Sequence, residues 1–143
     1  MSLLESLYQD VILEHYHRPH NRRPLPRASH TREGVNPSCG DELTLYLQVE
    51  EGVIRDVGFE GEGCAISQAS ASLMTDALKG RSVEQALELS RAFKAMIRGE
   101  PPSAELGELA ALQGVARLHA RVKCATLAWT TLDAALGGTD DAG

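Results

Sequence analysis

Residues 41–65 read DELTLYLQVEEGVIRDVGFEGEGCA, and the alternation inside this run is the clearest structural signal in the chain. Leu43, Leu45, Leu47 and Val49 point one way along an extended backbone, while Thr44, Tyr46 and Gln48 point the other. Glu51-Gly52 is a turn signal, and Val53 to Phe59 returns as a second strand, so residues 42–60 are predicted to form a β-hairpin. The run then passes through Gly61 and Gly63 into Cys64 and a segment rich in small residues, AISQASASLMTDAL. That segment reads as a helix from Cys64 to about Leu78, whose Ala and Ser side chains let another backbone approach closely.

Helical periodicity dominates on both sides of the hairpin. Upstream, Leu3, Leu4, Leu7, Val11, Ile12 and Tyr16 recur at helical spacing, with Ser2 and Glu5 as a capping box, so a helix is expected over Leu3 to about His17. Pro19, Pro24 and Pro26 forbid regular structure through RPHNRRPLPRASH. Downstream, Ser82 with Gln85 opens a short helix, and a broken helical stretch follows to Gly99. Glu105 to Gln113 is predicted as a further short helix. Val115, Leu118, Val122, Ala125, Trp129, Leu132 and Leu136 mark a long final helix that Gly114 interrupts or delays. A hairpin among helices implies an α+β fold: a small antiparallel sheet covered by helices, in a single domain over residues 1–143, with residues 137–143 as a frayed tail.

The 143 residues suit one domain with a core of its own. Acidic side chains number 20 against 14 basic ones, a net charge of −6, which argues against general affinity for nucleic acid or anionic lipid. No stretch approaches the roughly 20 apolar residues of a membrane span, and MSLLESLYQD carries no export signal, so a cytoplasmic protein is expected. Three cysteines in such a compartment stay reduced, leaving thiol chemistry or metal binding as their use.

Cys39, Cys64 and Cys124 have no CxxC spacing, which excludes a zinc ribbon or a thioredoxin-type pair. Their settings favour the thiolate. Cys39 lies in the turn-rich run NPSCGD just before a strand. Cys64 follows two glycines at a helix N-terminus, where the helix dipole and unpaired amides stabilise negative sulfur, and Cys124 follows Arg121 and Lys123. Three thiolates and one oxygen or nitrogen suit tetrahedral zinc, or an iron–sulfur cluster with one unusual ligand. Asp41 is the nearest fourth donor, sharing a face with Cys39 if the segment is extended. A turn-forming Asp and small, buried, apolar cysteines are the plainer alternatives. His15, His17 and His20 cluster at the end of the first helix, but no Cys or Asp accompanies them in sequence. Arg18, Arg22, Arg23, Arg27 and Arg32 make a basic arm without aromatic residues, so it reads as a docking segment or a solvated loop rather than an RNA site.

Three cysteine motifs in order, NPSCGD at 36–41, GEGCAIS at 61–67 and RVKCATL at 121–127, together with ILEHY at 12–16, resemble the IscU/NifU-N-terminal family of iron–sulfur cluster assembly proteins. Scaffold members of that family carry a histidine before the last cysteine and a Leu-Pro-Pro-Val-Lys segment read by a dedicated Hsp70 chaperone. Lys123 and RLHAR at 117–121 stand in those places here, and the gap from Cys64 to Cys124 is longer, with the surplus around residues 80–100. These departures resemble the SufU branch. The resemblance implies zinc held by Cys39, Asp41, Cys64 and Cys124. It also implies sulfur received from a pyridoxal-phosphate-dependent, SufS-like cysteine desulfurase, possible contact with other Suf assembly proteins, and Cys39 as the sulfur acceptor. Arg121, three residues before Cys124, would contact the partner or the persulfide, or remain a solvated charge. The alternative is a scaffold carrying iron or a transient [2Fe–2S] cluster.

Overall fold

A computed structural model describes residues 3–37 and 40–137, with side chains described from residue 9 onward. Helix α1 (Leu3–His17) is followed by strands β1 (His30–Asn36), β2 (Asp41–Glu50) and β3 (Val53–Glu62). Then come helices α2 (Ala65–Leu78) and α3 (Val83–Ile97), a 3₁₀ stretch over Ala104–Arg117, a single 3₁₀ turn at His119–Arg121, and helix α4 (Val122–Ala135). The strands form one antiparallel sheet in the order β1-β2-β3. The α+β expectation holds, and so does the hairpin: Leu45 pairs with Phe59, Leu47 with Val57 and Leu43 with Gly61.

The period of two in β2 sets which face is covered. Leu43, Leu45 and Leu47 turn inward and meet Val57 and Phe59 of β3, while Tyr46 and Glu60 face out, joined by a 2.6 Å hydrogen bond. Above the inner face lie Met74 and Leu78 of α2, Leu89 and Phe93 of α3, and Trp129 and Leu132 of α4, all buried. Phe93 and Trp129 stack with ring centroids 4.7 Å apart, a contact that joins α3 to α4. The small residues of α2 do what their size allows. The Ser70 hydroxyl donates to the carbonyl of Ala125 at 2.6 Å and accepts from the Trp129 indole at 3.2 Å, so α2 and α4 touch near Ser70.

Several elements differ from the sequence reading. Strand β1 was not expected. Its residues HTREGVN carry almost no apolar signal, and its order comes from the ladder to β2. The capping box of Ser82 and Gln85 forms as predicted, but the helix it opens runs unbroken from Val83 to Ile97 instead of breaking up. The stretch expected as a short α-helix from Glu105 is wound as 3₁₀ turns kinked at Gly107, whose φ of 53° few other residues adopt. The last helix begins at Val122, several residues after Val115, the delayed start that Gly114 allowed, because Leu118 leaves helical geometry (φ −113°, ψ 77°). Ser2 of the proposed N-terminal capping box and all but the first residue of the expected tail lie outside the described residues.

The basic arm is tied down rather than waving in solvent. The Phe59 amide donates to the carbonyl of Asn21 at 3.0 Å, Arg22 donates to the carbonyl of Gly61 at 2.8 Å, and Arg23 lies 3.3 Å from Asp56. Residues 21–23 therefore run along the outer edge of β3. Where β1 crosses α4, a Cβ on Gly34 would overlap the Thr131 hydroxyl and sit 3.3 Å from Leu127. Gly34→Ala is expected to destabilise the fold by about 1–3 kcal/mol through overpacking, read as a lower urea midpoint with an unchanged m-value.

Candidate metal centre

The same alternation that aims Leu43, Leu45 and Leu47 inward also turns Asp41, the first residue of β2, to the interior. Its side chain has no exposed surface. One oxygen is satisfied, since Oδ1 accepts the Cys64 amide at 3.0 Å. Among the described residues Oδ2 has no hydrogen-bond partner. A buried carboxylate with one bare oxygen is costly unless a cation completes it.

Cys64 supplies the N-cap of α2, with no side-chain bond to the helix amides, so its sulfur is left to other work. Cys124 lies in the first turn of α4 and is fully buried. The two thiols and the Asp41 carboxylate offer ligand atoms that all lie within 4.8 Å of one another. Each comes from a different element end: the start of β2, the start of α2 and the start of α4. Gly63 makes room for the group, because a Cβ there would overlap the Ser67 hydroxyl and stand 2.6 Å from Asp41 Oδ1. Two sulfurs and an oxygen, within reach of one ion, fit a tetrahedral divalent metal bound at about 2.0–2.3 Å.

Arg121 closes the exposed side. It is the residue just before α4, and its exposed guanidinium hydrogen-bonds the Cys124 sulfur and lies beside Cys64. The hydrogen bond to Cys124, and then the negative sulfurs themselves, raise its pKa above the ordinary arginine value. Of the predicted site residues, the structure thus brings together Asp41, Cys64, Cys124 and Arg121, while Cys39 lies outside the described residues. An open cleft of about 500 Å³ is lined by Gly61 to Gly63 together with Tyr16, His17, Arg22 and Gln68.

The family model described as the NifU-like N terminal domain matches residues 7–137. The chain belongs to that family. Among NifU-like N-terminal domain relatives, it is 45% identical over 132 residues to the zinc-dependent sulfurtransferase SufU of Bacillus subtilis, covering 91% of this chain and 89% of that protein. It is 43% identical over 138 residues to the iron–sulfur cluster assembly scaffold protein IscU of Streptococcus pyogenes, covering 95% and 86%. A crystal structure of a putative iron–sulfur cluster assembly scaffold protein for the SUF system from Fervidobacterium islandicum superposes with a TM-score of 0.86 at 35% identity, over 92% of this chain and 98% of that one. The fold and the family expected from the cysteine motifs are both met.

Gly63→Ala should push the Asp41 carboxylate away from the sulfurs and lower metal affinity by about tenfold or more, the scale seen when ligand orientation is lost. Gly114→Ala, where a Cβ meets open space, should leave metal content unchanged. Metal analysis of both purified variants after dialysis against a weak chelator makes the comparison.

Proposed function

We propose that this protein serves iron–sulfur cluster assembly as a zinc-dependent sulfur acceptor, taking persulfide sulfur from a cysteine desulfurase. The observation that carries this reading is the buried Asp41 carboxylate, half satisfied by the Cys64 amide and facing two thiols, with its other oxygen bare among the described residues. Cys39, two residues ahead of Asp41, completes a set of three thiolates and one carboxylate, a composition that suits zinc. The B. subtilis relative, a zinc-dependent sulfurtransferase, supports the same assignment. Zinc bound by Cys39, Asp41, Cys64 and Cys124 would keep the thiols ionised at neutral pH.

The chain's own residues account for the transfer. Cys39 is the acceptor, because its sequence run NPSCGD favours a turn that can move, whereas Cys64 caps α2 and Cys124 is fixed in the first turn of α4. Its thiolate attacks the outer sulfur of a persulfide carried by the desulfurase. The donor's S–S bond breaks, a new S–S bond forms on Cys39, and the donor cysteine leaves as a thiolate that takes up a proton from solvent. No net oxidation or reduction occurs. Arg121, beside the sulfurs and open to solvent, offers a fixed positive charge to the arriving persulfide. The partner is a pyridoxal-phosphate-dependent desulfurase of SufS type, in the cytoplasm, with other Suf assembly proteins as further partners. Val35 and Leu118 are exposed large apolar residues that flank the site in sequence and suit such docking.

The IscU relatives favour a second reading, a scaffold on which a [2Fe–2S] cluster is built. The group formed by Asp41, Cys64 and Cys124 includes no imidazole among the described residues, and Lys123 cannot ligate while charged.

Adding the zinc-loaded protein to its desulfurase and free cysteine should raise turnover, and Cys39→Ala should abolish the increase. Arg121→Gln should weaken the stimulation while zinc content stays intact. With iron present, no absorption should develop near about 400–450 nm, where thiolate-bound clusters absorb. Cluster formation with zinc displaced from the unmodified protein would establish the scaffold reading instead.

A further inference from the structure

Away from the cysteines, the end of α1 meets the middle of α2 through a cluster that sequence spacing could not reveal. His15 is buried, and its ring lies 4.4 Å, centroid to centroid, from that of His20. Asp76, on α2, hydrogen-bonds His20 Nδ1 through Oδ2. The two imidazoles and the Asp76 carboxylate offer ligand atoms that all lie within 4.8 Å of one another. In the sequence no Cys or Asp accompanies the histidines as a further ligand. The fold supplies one from 56 residues away.

We propose that His15, His20 and Asp76 form a second binding site for a borderline divalent transition-metal ion of the zinc, nickel or cobalt type, with Glu108 as a further donor. Two imidazoles and a carboxylate are a donor set suited to such ions and poorly suited to Mg²⁺ or Ca²⁺. Each donor is held by a second contact, as metal ligands characteristically are. His15 Nδ1 engages the buried Ser72 hydroxyl at 2.7 Å, which leaves Nε2 facing Glu108 Oε2 at 3.8 Å. The Asn21 amide donates to Asp76 Oδ1 at 3.1 Å, which leaves Oδ2 turned to His20. The Ser72 hydroxyl also accepts the His20 backbone amide at 2.8 Å, fixing that residue against α2. Access is open, since Asp76 and Glu108 line one wall of a cleft of about 190 Å³ with Leu73, Ala77, Leu106 and Leu109. An ion here would pin three elements together: α1, α2 and the 3₁₀ stretch.

A histidine–aspartate ion pair with no metal function is the competing account, and one substitution separates the two. His20→Arg keeps a cation for Asp76 but presents no lone pair to a metal. Protein already loaded with one equivalent of Zn²⁺ is titrated with further Zn²⁺ by calorimetry, in parallel with His20→Arg and Asp76→Asn. The expected result is a further equivalent in the parent whose affinity falls at least about tenfold in both variants. Excess Zn²⁺ should also raise the melting temperature of the parent but not of His20→Arg, because an ion bound only by the native state stabilises it. No further equivalent in the parent, or an equivalent that survives both substitutions, overturns the proposal. The readout depends on His20 and not on Cys64, so it stands or falls separately from the cysteine centre.

Discussion

Burying the Asp41 carboxylate removes a full negative charge from water, a step that costs several kcal/mol unless the surroundings repay it. The surrounding structure is arranged to do so. Strand register places Asp41 at the end of the same inward row as Leu43, Leu45 and Leu47, where an apolar residue would otherwise continue the core. The chain then reverses through Gly61 and Gly63, so the backbone rather than a side chain arrives opposite the carboxylate. That approach lets the Cys64 amide bond Oδ1 and starts α2 with the positive end of its dipole toward the charge. Cys124 joins from α4 because the small residues of α2 let α4 come close, with Ser70 bridging both chains of packing. The thiols and the carboxylate are therefore not a decoration on a finished fold. Their placement and the packing of the sheet against α2 and α4 are one arrangement.

Helix α2 carries this arrangement into the rest of the molecule. Cys64 caps its start, its second turn contacts α4 through Ser70, and its later turns hold α1 through Ser72 and the segment after α1 through Thr75 and Asp76. Ser67, Gln68, Ser70, Ser72 and Thr75 are all buried, an unusual amount of polarity for a helix interior to a fold. Much of it is used: Ser70 bonds α4, and Ser72 and Thr75 bond the segment that follows α1. A helix made of such short polar side chains is stiff in position, because moving it breaks several directional bonds at once rather than sliding one apolar surface over another.

What was legible in the sequence follows the length scale of the signal. The hairpin announced itself because Leu43 to Val49 and Val53 to Phe59 carry their own period, and the α3 cap because Ser82 and Gln85 are only three residues apart. Asp41, Cys64, Cys124 and Arg121 were legible through the glycines, turns and cations written beside them. Strand β1 was not, since HTREGVN has few apolar residues and is ordered by β2, a partner it meets only after the turn. The start of α4 was legible only as a delay after Gly114, because Val115 and Leu118 keep the apolar rhythm of a helix while the backbone at Leu118 leaves it. The grouping of His15 and His20 with Asp76 was invisible for a similar reason: periodicity describes neighbours along one element, and this contact exists only where two elements cross.

A sheet of only three strands has two outer edges, and an open edge is a template on which a second chain can add its own strand. Here the two edges are closed to such pairing by different means. On the β3 side the segment around Asn21 to Arg23 occupies the place of a fourth strand, taking the Phe59 amide and fastening itself to Gly61 and Asp56. On the β1 side the strand is short and, besides the exposed Val35, shows Thr31, Arg32 and Glu33 to solvent, so an incoming strand would have to strip water from two charges. Arg22 and Arg23, which look in sequence like part of an arm for a partner, are thus engaged at the sheet edge, where they oppose the addition of a further strand. A chain whose sheet edges resist unselective association stays available for selective contacts made elsewhere on its surface.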